Sequence, residues 1–257
     1  MKHNKTTRRS SEKGFTLVEL AIVMIIIGLL IGGVLKGQEL IANAQVTSTV
    51  AQLKGIDAAV STFRDQYSSL PGDMPTASGA NGRLPNCNAA PCINGNGNSR
   101  LGSTPNAAAQ GGEALAFWAH MNAADLISGV NGTATVEWGE ALPAADIGGG
   151  FVAGFLRNGS IADQTAGAAQ NPRSGHYLVL RAIPDSAATA VDALLRSSLA
   201  FRLDQKMDDG GPNSGSVRAI GGVGNTGAAC ANTGAVGGVY TEALDGVACS
   251  LAIRIQG

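Results

Sequence analysis

The first strong pattern along the chain is an apolar run of 21 residues from Phe15 to Leu35, interrupted by one acid, Glu19. At ~1.5 Å per residue a helix of that length crosses a hydrocarbon layer of ~30 Å. The run therefore predicts a membrane span. Placing a carboxylate at mid-bilayer costs about 2.5 to 3.5 kcal/mol, but fourteen Leu, Ile, Val and Phe residues offset it at about 0.3 to 0.6 kcal/mol each. Insertion wins.

Beyond Lys36 the period changes without a break. Val46, Val50, Leu53, Ile56, Val60, Phe63 and Tyr67 recur at steps of three and four, with Lys54, Asp57, Ser61, Arg64 and Asp65 on the other side. This is an amphipathic stripe, so one helix is expected from Phe15 to Tyr67. Its end is marked by SSLPGDMP, where Pro71, Gly72 and Pro75 cannot continue it.

The remaining pattern is weaker. Residues 76–111 are rich in Asn, Gly, Ala, Pro and Ser and predict a long exposed loop. Glu113–Ile127 has helical spacing, with Gly129 as a stop and His120 as a partly buried helix residue. Ala134–Trp138, Gly150–Arg157 and His176–Ile183 read as antiparallel strands. Asp185–Met207 reads as a second head helix, with Asp185 or Ser186 as its N-cap, and Ala248–Ile255 as a final strand.

Composition narrows the classes. Five basic residues (Lys2, Lys5, Arg8, Arg9 and Lys13) crowd the first fourteen positions. The positive-inside rule keeps that leader cytoplasmic and sends the residues beyond the span outward. After residue 14 the chain carries 13 basic against 18 acidic residues, which argues against nucleic acid as a partner. With 36 glycines and 4% aromatics, the head should be loop-rich around a modest core.

Candidate chemistry is sparse. GVGNTG at Gly222–Gly227 fits G-x-G-x-x-G formally, but no helix pattern comes after it. Lys-bearing phosphate loops, H-E-x-x-H and G-x-S-x-G are missing from the sequence. Of the three histidines His3 lies in the leader, so a zinc or Ser-His-Asp site in the head would have to use His120 or His176 alone, and an enzyme is not expected. Cys87 and Cys92, outside the cytoplasm, suit a small disulfide loop better than a metal.

Gly14 followed by Phe-Thr-Leu-Val-Glu-Leu, behind a basic leader, resembles the prepilin signal of the type IV pilin and pseudopilin superfamily residue for residue from Gly14 to Leu20. The resemblance implies a pilin-like α+β fold: leader 1–14, long helix 15–67 with its span over 15–35, and head 68–257 carrying an antiparallel sheet. It implies cleavage between Gly14 and Phe15 by a prepilin peptidase and N-methylation of Phe15. It also implies pairing of Glu19 with the N-terminus of a neighbouring subunit. Other pilin subunits and an inner-membrane assembly machinery are the implied partners, with the head in the periplasm or, after assembly, outside the cell. The spacing Gly28/Gly32 and Gly33/Gly37 suits close helix packing, though glycine is also simply common in membrane helices.

Pilins commonly close a C-terminal loop with a disulfide. Four cysteines allow three pairings; the short loop favours Cys87 with Cys92, and the resemblance favours Cys230 with Cys249. Some pseudopilins hold calcium in a late loop, which makes Asp204, Asp208 and Asp209 candidate Ca²⁺ ligands. The alternative is a helix end with solvated acids, in which case there is no cofactor. The functional expectation is a filament subunit. The alternative is a membrane-tethered binding or adhesion protein, or a minor pilin acting through its head loops.

Overall fold

The computed structural model describes residues 15–102, 112–156, 173–184, 193–221, 230–232, 239–241 and 247–255. The leader with Gly14, the Asp185–Ser186 cap and the Gly222–Gly227 motif lie outside the described residues. The chain divides into two units, Met1–Ala44 and Gln45–Gly257.

In the first unit the described residues are almost wholly helical and exposed. They begin α1, Leu17–Tyr67, which is long and apolar enough to cross a membrane.

In the second unit the stripe is the buried face of α1. Val46, Val50, Leu53, Ile56, Val60, Phe63 and Tyr67 are all buried, together with Thr49 and Ala59. Polar contacts flank that face. Lys206 donates to Thr47 at 2.7 Å, Ser48 donates to Asp146, and the Asp146 N–H donates to Gln52 at 3.1 Å. At the helix end Arg83 donates to the Tyr67 carbonyl at 3.0 Å and lies over the Tyr67 ring, satisfying a carbonyl that the helix leaves unpaired.

The head continues with α2 (Glu113–Ala123), β1 (Gly150–Leu156), β2 (Gly175–Arg181), β3 (Leu195–Arg196), α3 (Ser197–Met207), β4 (Val217–Gly221), β5 (Ala231–Asn232), β6 (Val239–Tyr240) and β7 (Val247–Arg254). All pairings are antiparallel, in the order β1-β2-β7-β3, with β4 also on β7. Leu251 pairs with both Leu180 and Ala219, and Cys249 with both Leu195 and Gly221. Hence β7 is the inner strand: β3 prolongs the edge that β2 begins, and β4 takes the other. An inner strand covered on both faces reads as a near-continuous apolar run, and Cys249 to Ile253 is buried throughout.

Three expected elements come out differently. Ala134–Trp138 is not a strand. Its backbone turns on itself, with Glu137 N–H on Thr135, Ala141 N–H on Thr135 and Leu142 N–H on Glu137, and Trp138 keeps only an isolated bridge to Leu142. α2 stops four residues short of Ile127, because Asp125 takes φ 57° and closes the helix with Asp125 N–H on Asn122 and Leu126 N–H on Met121. That is the left-handed helix end usually given to glycine. Among the described residues of the expected second head helix, Ser197–Met207 is helical. Leu195 and Arg196 are drawn into the sheet by β7, and residues 185–192 lie outside the described set.

Candidate functional site

The N-terminal segment presents its chemistry directly. Phe15 is 90% exposed. Thr16 precedes the first helical residue. Its N–H and its hydroxyl both donate to Glu19 Oε2 at 2.9 Å, and the Glu19 N–H donates to Thr16 Oγ1 at 3.2 Å. This is a capping box, in which a hydroxyl and a carboxylate three residues apart satisfy each other's helix-end donors. Reading Glu19 as a lone acid misses this role, although the T-x-x-E spacing stands in the sequence. Leu20, Ile25, Leu29, Ile31, Leu35 and Ile41 are all more than half exposed, an apolar surface that calls for lipid or other helices to cover it. A Cβ placed on Gly28, Gly32, Gly33 or Gly37 would meet nothing, so these glycines leave the backbone open to close approach.

Residues 9–35 match the family described as the prokaryotic N-terminal methylation motif. The chain carries the prepilin-type signature of type IV pilins and pseudopilins. No curated protein and no solved structure matches the chain.

The head contains a polar hub that the sequence did not announce. Asp73, buried in the loop after α1, accepts the N–H groups of Gly97, Asn98 and Ser99 at 2.7, 3.1 and 2.6 Å. Glu113 at the start of α2 accepts those of Asn96 and Gly102 at 2.9 and 2.5 Å. His120, expected to be partly buried, is fully buried. Its Nδ1 accepts the Gly72 N–H at 2.9 Å, and its Nε2 donates to the Ile93 carbonyl at 2.8 Å. Burial pushes its pKa down, with the Ile93 carbonyl pulling the other way, so the ring is neutral. Gly72 has φ 84°, and a side chain there would run into the Glu113 carbonyl. The hub thus holds residues 93–102 near the end of α1 through three side chains that act on main-chain groups.

Cys87 is bonded to Cys92 and Cys230 to Cys249. His120 lies close to the first pair, but both of its nitrogens are engaged and the sulfurs are bonded to each other. That group has nothing left to offer a metal.

Asp204, Asp208 and Asp209 do come together, each offering an oxygen within 4.8 Å of the others. Ligands at about 2.3 to 2.6 Å from a calcium ion lie up to about 5 Å apart, so hard carboxylate oxygens at this separation fit such an ion. Asp204 is fully buried. Its Oδ2 accepts the Tyr240 hydroxyl at 2.7 Å, while among the described residues Oδ1 finds no hydrogen-bond partner. Burial pushes its pKa up to about 6, opposed by the Tyr240 bond and reinforced by Asp209 and Asp208. Asp208 Oδ2 accepts from Ser216 and Val217. Asp209 accepts from Ser214 and Gly211, and these bonds lower its pKa.

Proposed function

We propose that the chain is a structural, non-enzymatic subunit of a pilus-like filament or secretion pseudopilus. It is inserted through α1, cleaved between Gly14 and Phe15 by a prepilin peptidase, methylated on Phe15 and packed helix on helix with other pilin-type subunits. One observation carries this reading: the methylation signature falls on the helix whose aliphatic side chains stand uncovered. A membrane and then neighbouring helices are the covers such a surface takes.

In this reading Glu19 first serves its own helix through Thr16 and then serves assembly. A new amino group on Phe15 of a neighbouring subunit is a charge-assisted partner for the same carboxylate. The span anchors the protein in the inner membrane, with the head on the periplasmic side. A bound calcium ion, if taken up by Asp204, Asp208 and Asp209, would tie the end of α3 to the loop before β4. A polar cavity in the second unit favours a compatible second role, a minor pilin that also recognises something through its head.

The test is mass spectrometry of the protein from a peptidase-competent host, paired with filament incorporation. The expected species starts at a methylated Phe15, and Glu19→Ala is processed but left out of filaments. An intact Met1 terminus, or normal incorporation of Glu19→Ala, overturns the reading.

A further inference from the structure

A cavity of about 500 Å³ opens beside the last turns of α1, within the size range of small-molecule sites. It is lined by Arg64, Asp65, His176, Leu70 and the four serines Ser61, Ser68, Ser69 and Ser99.

Two of these groups lack the partners expected in a merely structural wall. Arg64 is exposed to the cavity side, and among the described residues no carboxylate forms an ion pair with it. His176 is buried, and among the described residues its Nε2 has no hydrogen-bond partner. Burial, and then the nearby charge of Arg64, push its pKa down to about 4, with Arg254 adding to the effect and Asp73 opposing it. The ring is therefore neutral, and adds no second positive charge beside Arg64.

The pairing of charges selects the ligand. A bare anion gains from Arg64 but is repelled by Asp65 next to it. A neutral sugar satisfies Asp65 and the serines but leaves the guanidinium unpaired. A molecule with one carboxylate and several hydroxyls answers all of them, since a guanidinium matches a carboxylate and a carboxylate accepts from hydroxyls. We propose that this cavity binds a small sugar acid, its carboxylate on Arg64 and its hydroxyls on Asp65 and the serines, with His176 closing the wall.

The proposal does not rest on filament assembly, and failure of either leaves the other standing. The full chain in detergent micelles is titrated calorimetrically with sodium D-glucuronate, with glucose and sodium acetate as controls at matched ionic strength. Glucuronate saturates the protein at about 1 mM or below, and each control binds at least about tenfold more weakly. Arg64→Gln and Asp65→Asn each weaken glucuronate about tenfold or more with the melting temperature unchanged, because both side chains are exposed. Acetate or glucose binding as tightly as glucuronate, no saturation by about 10 mM, or undiminished binding by Arg64→Gln overturns the site.

Discussion

His120 and Gly72, 48 positions apart, meet through a 2.9 Å bond in which the buried imidazole accepts a backbone N–H. The bond exists only while Nδ1 is unprotonated. An unfolded histidine takes its proton near pH 6.5, whereas the folded pKa is lowered. Stability from this group is therefore present above about pH 6.5 and is lost as the pH falls through the folded value. His120→Asn should cost about 2 to 4 kcal/mol at neutral pH, since a buried donor and a buried acceptor both lose their partner. It should also shrink the drop in melting temperature between pH 7 and pH 5, followed by circular dichroism in micelles.

Asp73 holds three backbone N–H groups of residues 97–99. Asp73→Ala leaves the Ser99 N–H without its acceptor, while Gly97 keeps the carbonyl of residue 73 and Asn98 keeps the Asn96 side chain, and should destabilise the head by about 1 to 2 kcal/mol. Limited proteolysis should then cut between residues 93 and 102 first, and an uncut loop would count against the hub.

Asp204 has the opposite pH sign. Its folded pKa of about 6 lies above the ordinary carboxylate value of 3.8, so its contribution is full below the unfolded pKa and is lost as the pH rises through about 6. Asp204→Asn should raise the melting temperature at pH 7 and flatten its fall between pH 4 and 6. If the three acids take calcium, millimolar Ca²⁺ should stabilise the wild type and not the variant. Equal response of both to calcium would exclude Asp204 as a ligand.

The two disulfides close loops of different length, with sequence separations of 5 and 19. On loop entropy, removing Cys230–Cys249 by paired serine substitutions should cost about 3 kcal/mol and removing Cys87–Cys92 about 2 kcal/mol. Denaturant titration of the two double variants gives the order directly.

Thr16→Ala removes one bond to Glu19 and the helix cap, worth about 1 kcal/mol. Amide exchange at residues 17–20 in micelles should speed up several-fold, with Thr16→Ser close to wild type.

What the sequence disclosed was whatever repeats. The stripe from Val46 to Tyr67 names its own buried face because seven large apolar residues keep helical spacing, and β7 was legible as an apolar run. β4 was missed. VRAIG holds two large apolar residues beside a Gly/Ser turn, and its strand character comes from the ladder with β7 rather than from its own pattern. The Trp138 segment misled because β-forming side chains sat where local turns took up the backbone donors. The hub was hidden for a different reason: Asp73, Glu113 and His120 act on main-chain atoms 11 to 48 positions away, and no spacing rule reports such pairs.

Because the inner strand of the sheet is also the last in chain order, β1 and β2 wait for it with one edge open. In the filament reading proposed above, export would deliver the sheet's central strand after β1, β2, β3 and β4, all of which it joins directly or through β2. A protease meeting a chain that has not yet added β7 would find one edge of β2 unprotected.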